Sequence, residues 1–181
     1  MSDIVRETRE TRVRVALEAG SGETEVDTGV LFLDHMIRTF VRYAKLEGRV
    51  EARGDLRHHV IEDVAIVCGM TVAELGPANR RRFGDRTIPM DDALVHVSID
   101  IGGRAFYEGP LPSGLYDHWM RSFAEHSRST IHVRVLRGTD RHHVVEAAFK
   151  ALGYAVRDAL APDGDDVNSS KGAPVVRGTA C

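Results

Sequence analysis

Residues Arg57-His58-His59-Val60-Ile61-Glu62 return 84 positions later as Arg141-His142-His143-Val144-Val145-Glu146. Ahead of each copy runs a second shared segment, Asp34-His35-Met36-Ile37-Arg38-Thr39-Phe40 and then Asp117-His118-Trp119-Met120-Arg121-Ser122-Phe123. Six of the nine positions from Gly54 to Glu62 match their partners in Gly138 to Glu146, and the matches include every His and Glu. A fixed offset marks a duplicated supersecondary unit. It restricts the chain to folds built from two like halves. A length of 181 residues suits two half-domains around one shared core better than two independent domains.

Periodicity assigns elements to each half. Thr11 to Ala19 alternates, with Val13, Val15 and Leu17 on one face, and reads as a half-buried strand. A short strand around Glu23 to Thr28 follows the Gly20-Ser21-Gly22 turn. Phe32 to Leu46 spaces apolar residues at helical intervals, Arg49 to Arg53 alternates, and His58 to about Leu75 is helical until Gly76-Pro77 stops it. The second half repeats the order: strands at Leu94 to Ile101 and Ala105 to Glu108, a helix at Leu115 to His126, a strand at Thr130 to Leu136, and a helix at His142 to Leu160. The expected fold class is α+β. Two duplicated strand-strand-helix-strand-helix halves, about 10–78 and 90–161, form sheets with helices packed on one face and share one core within a single catalytic domain, 1–181. Asn79 to Asp92 is expected to join the halves, and residues 162–181 to form a flexible C-terminal tail.

A net charge of −3 and the lack of a basic stretch interleaved with aromatics argue against a nucleic-acid partner. No apolar run is long enough to span a bilayer, and Met1-Ser2-Asp3 does not begin a signal peptide, so no membrane role is expected. Cys68 and Cys181 make no disulfide framework, which points to a reducing, cytoplasmic setting.

The repeated motif suits metal chemistry. Residues four apart lie on one face of a helix, whereas adjacent residues diverge by about 100°. His58 and Glu62 can therefore grip one ion while His59 addresses another, and the same holds for His142 with Glu146 and for His143. Adding His35 and His118 gives six imidazoles and two carboxylates, a mixture suited to Mn, Fe or Zn before Mg or Ca. A single His-His pair is more often a helix-end or surface feature. Two copies at one offset, each preceded by Asp-His, oppose coincidence, although duplication can also preserve a structural zinc. His96, His126 and His132 fall outside the repeat and take structural roles. Arg80-Arg81-Arg82 and Ser169-Ser170-Lys171 read either as solvated runs or as phosphate contacts.

Together these motifs resemble the imidazoleglycerol-phosphate dehydratase family of histidine biosynthesis. The landmarks run in family order: Arg6 to Thr11, Phe32-Leu33-Asp34-His35-Met36, the two HHxxE segments, Arg82-Phe83-Gly84, Pro89-Met90-Asp91, Gly103-Arg104, Phe149-Lys150 and Ser169-Ser170-Lys171-Gly172. The resemblance implies a hydro-lyase that converts imidazole glycerol phosphate to imidazole acetol phosphate. It implies two Mn2+ per active site, other divalent transition metals being alternatives, with one ion on His35, His59, His142 and Glu146 and the other on His58, Glu62, His118 and His143. Exchanging the repeat halves converts one set into the other. Glu10, Arg82, Arg104, Lys150, Ser169, Ser170 and Lys171 would contact substrate, and Glu10, His58 and His143 would act in catalysis, Glu10 as the acid-base group. A homo-oligomer is implied too: a 24-mer built from trimers, with metal sites completed between chains.

The implied chemistry needs such a site. The reaction removes hydrogen from a carbon that no carbonyl acidifies, and two ions on the ring nitrogens would stabilise an imidazolate that serves as electron sink. Departure of the side-chain hydroxide would then give a diazafulvene-like species. The chain departs from the family in a shortened spacer holding only Arg57 before His58, in Tyr43 where a substrate-side His is common, and in Val60, Asp92, Gly102, Asp140 and Asn168. None removes a proposed metal ligand; the departures bear on the tuning of the ligands by outer groups and on substrate affinity. Two other readings of the duplicated motif are a di-metal hydrolase of a phosphorylated small molecule and a non-enzymatic scaffold whose metals cement an oligomer.

Overall fold

A computed structural model of the chain describes residues 1–164. In the first half, strands β1 (Ser2–Glu7), β2 (Thr11–Ala19) and β3 (Thr24–Asp27) precede helix α1 (Leu31–Ala44), strand β4 (Leu46–Gly54) and helix α2 (Arg57–Glu74). The second half repeats this order with β5 (Phe83–Met90), β6 (Ala93–Ile101), β7 (Phe106–Glu108), α3 (Gly114–His126), β8 (Ser129–Arg137) and α4 (Arg141–Leu160). The two sheets have matching orders, β1-β2-β4-β3 and β5-β6-β8-β7, each with a parallel pair at one edge.

The sheets bury one face each. Val13, Val15 and Leu17 in β2 and Val95, Val97, Ile99 and Ile101 in β6 point inward, and the residues between them are exposed or half-buried. The helices cover those faces: α2 lies on β1 and β2, and α4 on β5 and β6. The two helical layers then meet, α1 on α4 and α2 on α3, giving a sheet-helix-helix-sheet stack around one hydrophobic cluster. Burial on both sides explains why α2 is apolar nearly all round from Val60 to Val72. Phe40 of α1, Trp119 and Phe123 of α3 and Phe149 of α4 lock the halves together; the Trp119 and Phe149 rings lie 4.6 Å apart. The closest helix approaches use a repeated glycine. A Cβ on Gly69 would lie 2.7 Å from the carbonyl oxygen of Phe123, and one on Gly153 would lie 2.6 Å from that of Phe40.

Two elements differ from the sequence-based expectation. Each half carries one more strand, β1 and β5, so the stretch from Asn79 to Asp92 is not merely a connector. Both are edge strands. In β5 no residue is fully buried, and Pro89 sits where the strand needs fewer ladder bonds, so the alternation that reveals β2 and β6 is weak there.

Candidate metal centre

Both HHxxE segments form the first turns of long helices, α2 and α4, while His35 and His118 lie near the starts of α1 and α3. The N-termini of all four helices converge around a cleft of about 320 Å³ lined by Phe32, Arg57, Ile61, Tyr116, Arg141 and His142 among others. Larger hollows of about 590 and 640 Å³ lie at the opposite ends of α1 and α3, away from the repeated imidazoles, so size does not mark the site here.

The aspartate of each Asp-His pair anchors its helix. Asp34 Oδ1 accepts from the backbone N–H of Thr28 at 2.9 Å and from the Thr28 hydroxyl. Asp117 Oδ1 accepts from the backbone N–H of Leu111 at 2.9 Å and from the Tyr107 hydroxyl at 2.6 Å. Burial, reinforced by that bond, pushes the Tyr107 phenol well up. With the helix starts tied down, the next residue in each pair, His35 or His118, faces an HHxxE segment of the other half.

Two trios result. His35 Nε2 and His142 Nε2 lie 3.2 and 3.1 Å from Glu146 Oε2. His58 Nε2 lies 3.5 Å from Glu62 Oε2, and His118 Nε2 lies 3.3 Å from Glu62 Oε1. In each trio the three donor atoms fall within 4.8 Å of one another. Two ligands about 2.1 Å from an octahedral ion, at right angles, are roughly 3 Å apart, which these separations approach. His118 Nε2 is buried and makes no hydrogen bond among the described residues, despite its nearness to Glu62. A buried imidazole nitrogen without a partner is costly, and a cation between it and the carboxylate would satisfy both. The donor chemistry and this orphaned nitrogen fit a divalent transition metal.

The adjacent histidines turn away. The His58 and His59 rings are inclined at 73°, and those of His142 and His143 at 90°. His59 Nδ1 sits 2.8 Å from Asp55 Oδ1 and 3.6 Å from Glu10 Oε2. His143 Nδ1 sits 2.8 Å from Asp92 Oδ1, and its Nε2 is 3.3 Å from Asp91 Oδ2. The hydrogen bond to Asp55 raises the pKa of His59, and that to Asp92 raises that of His143. Asp92 is driven well below the usual carboxylate range by the Thr139 backbone N–H, His143 and the Asp140 N–H. A carboxylate on Nδ1 leaves Nε2 as the ligating nitrogen, the usual second-sphere arrangement of a metal-binding imidazole. Among the described residues neither His59 nor His143 joins either of these two trios; His59 instead forms a third group of potential ligands with Glu10 and Asp55. Sequence reasoning missed Asp55 and the role of Asp92. The hairpin register held a clue, because Glu10 and Asp92 immediately precede the equivalent strands β2 and β6.

The remaining candidate residues are dispersed. Glu10 is exposed at the β1–β2 turn, where its backbone N–H bonds to the Thr8 hydroxyl at 3.1 Å. Lys150 Nζ donates to Glu146 Oε1 at 2.9 Å. Burial disfavours the Glu146 carboxylate, but Lys150 and His35 outweigh it and the pKa falls. Arg82 pairs with Asp100 at 3.0 Å, and its backbone N–H bonds to Ala159 O, thirteen residues beyond Glu146 on α4. At 1.5 Å per residue that places Arg82 about 20 Å from the Glu146 trio. Arg104 lies in the β6–β7 loop beside Gly103, whose added Cβ would be 3.6 Å from Arg82 Nη2. One chain therefore does not bring Arg82 and Arg104 to its own imidazoles. Ser169, Ser170 and Lys171 lie outside the described residues. Of the histidines assigned structural roles, His96 bonds to Thr87 and Ser98, His126 to the Ser122 carbonyl, and the His132 ring lies 5.5 Å from that of Phe106, tilted by 41°.

A family model described as imidazoleglycerol-phosphate dehydratase matches residues 28–156. A curated protein of that name from Caldivirga maquilingensis is 44% identical, covering 93% of this chain and 96% of its own. One from Pyrobaculum calidifontis is 45% identical over 92% and 96%. The crystal structure of IGPD from Pyrococcus furiosus, which holds a bound compound, superposes with a TM-score of 0.85 at 37% identity, covering 94% of this chain and all of that one. The Staphylococcus aureus enzyme gives 0.75 at 26% identity, over 90% and all.

Proposed function

Because this chain belongs to the imidazoleglycerol-phosphate dehydratase family, hydro-lyases of histidine biosynthesis, we propose that it dehydrates imidazole glycerol phosphate to imidazole acetol phosphate at a centre holding two divalent metals, manganese first. The observation that carries the metal reading is the pair of trios, His35-His142-Glu146 and His58-Glu62-His118, related by exchange of the repeat halves. His59 would complete the first set and His143 the second. Since neither reaches those two trios among the described residues of its own chain, a neighbouring copy would supply each, which ties the site to assembly in a homo-oligomer, as a 24-mer built from trimers.

When bound, the ions would hold the ring nitrogens of the substrate and stabilise the negative charge that develops there. Glu10 carries the acid-base role. Its hairpin is held by the Thr8 hydroxyl and by the Asp55 N–H, which donates to Glu10 O at 3.1 Å, so the carboxylate can take a carbon-bound proton and protonate the departing hydroxide from one position. Asp55 and Asp92 orient His59 and His143 through Nδ1. Lys150, Arg82 and Arg104, with Ser169, Ser170 and Lys171 of the tail, hold the phosphate; their separation within one chain again calls for neighbours. The dispersal of these cations along one chain supports a shared site better than a private one. Among the described residues no helix is long and apolar enough to cross a membrane, and cytoplasmic placement accompanies the biosynthetic role.

Turnover of imidazole glycerol phosphate, measured with metal content on the same sample, tests this reading. Metal-stripped protein should be inactive and regain turnover with manganese. Full activity in rigorously metal-free protein would refute it.

A further inference from the structure

The two trios are related by the repeat, but their electrical surroundings are not. On α4, Lys150 stands one turn after Glu146 and places its ammonium 2.9 Å from Oε1. The equivalent position on α2, one turn after Glu62, is Ile66, which is buried. Among the described residues Glu62 pairs only with the imidazoles of His58 and His118. Asp34 and Asp117 occupy matching places beside His35 and His118 and do not distinguish the trios. With neutral imidazoles, the Glu62 trio carries a charge of about −1, whereas Lys150 brings the Glu146 trio to about zero.

Resting on the proposed metal reading, we infer that the two metal positions are unequal. The His58-Glu62-His118 trio takes the first ion, and Lys150 makes the His35-His142-Glu146 trio the weaker, later-filled position. An ion on Glu146 Oε2 would lie about 5 Å from the ammonium. At that spacing, even with the dielectric of water, a unit charge opposes a dication by roughly tenfold in affinity. Lys150 also reaches Met90 Sδ at 2.9 Å, so its ammonium is held near the carboxylate from two sides.

Manganese titration of the metal-stripped full chain at one protein concentration tests this, with free Mn2+ followed by electron paramagnetic resonance. Two classes should appear, one ion per chain each and about tenfold apart. Lys150→Met should tighten the weaker class about tenfold and leave the tighter unmoved. Lys150→Gln provides a second neutral variant, with circular dichroism reporting that each is folded. Glu62→Gln should remove the tighter class, and Glu146→Gln the weaker. Two classes of equal affinity would overturn the inference while leaving the metal reading intact. So would a weaker class indifferent to both neutral variants, or loss of the weaker class in Glu62→Gln. No bound manganese at all would sink the metal reading itself and the inference with it.

Discussion

Asp63, one residue after Glu62 on α2, should prove a principal fastener of the Glu10 hairpin. Its side chain is only 12% exposed, accepts a hydrogen bond from the Thr11 hydroxyl, and pairs with Arg6 Nη1 at 2.6 Å. Thr8, Glu10 and Thr11 are cross-linked in turn, since the Thr8 hydroxyl accepts from the backbone N–H of both Glu10 and Thr11. Replacing Asp63 by Leu removes a charge-assisted hydrogen bond, about 1.5–3 kcal/mol. It also removes an ion pair whose Arg6 partner is 34% exposed, so solvent screening limits that part to roughly 0.5–1 kcal/mol. The expected loss is about 2–4 kcal/mol, which for a chain of this size lowers Tm by roughly 4–16 °C. Asp63→Asn keeps an acceptor for Thr11 and should lose only about 1–2 kcal/mol. Adding Arg6→Met to the Leu variant should recover part of the difference, because the unpaired cation disappears. Urea and thermal unfolding of metal-free protein, at one concentration so that assembly does not shift the midpoint, measure these values. Unfolding of both single variants within about 0.5 kcal/mol of the parent would refute this role for Asp63. In both variants kcat should fall by more than any rise in KM, since the hairpin carries Glu10.

Two further outcomes follow from local geometry. Asp140 caps α4 by accepting from His142 N at 2.7 Å and His143 N at 3.4 Å, whereas α2 starts at Leu56 with no side-chain cap. Asp140→Ala should therefore cost about 1 kcal/mol, seen as a Tm fall of roughly 2–4 °C, while Leu56→Asp should not destabilise. The His143–Asp92 pair makes metal-free protein pH-sensitive. The raised pKa of His143 means the folded state holds the proton more tightly, so this contribution is present below pH 6.5 and is lost as pH rises through the raised value. The lowered pKa of Asp92 has the opposite sense: its contribution is present above 3.8 and fades on acidification. In NMR titrations of metal-free protein, Asp92→Asn should bring His143 down towards 6.5; an unmoved His143 would contradict the assignment.

Several features are legible in the sequence alone. Alternation in β2 and β6 and helical spacing in α1 to α4 located those elements within one or two residues, because each strongly buries one face. The pairing of His58 with Glu62 and of His142 with Glu146, and the divergence of His59 and His143, depend only on the pitch of a helix. Edge strands β1 and β5 were not legible, since little of their surface is buried. Local periodicity also does not say which helix packs on which. That α1 meets α4 and α3 meets α2 is decided by the two helical layers closing on each other between the sheets, and that closure carries His35 to Glu146 and His118 to Glu62 across the repeat. Family resemblance implied the same grouping, but the packing supplies its cause. The chain by itself determined two copies of a metal-capable helix start. The sequence also determined that just one copy carries a lysine one turn on, Lys150 after Glu146 against Ile66 after Glu62. Only the tertiary structure decided that each copy faces the other half's histidine, because those neighbours meet through packing between distant segments.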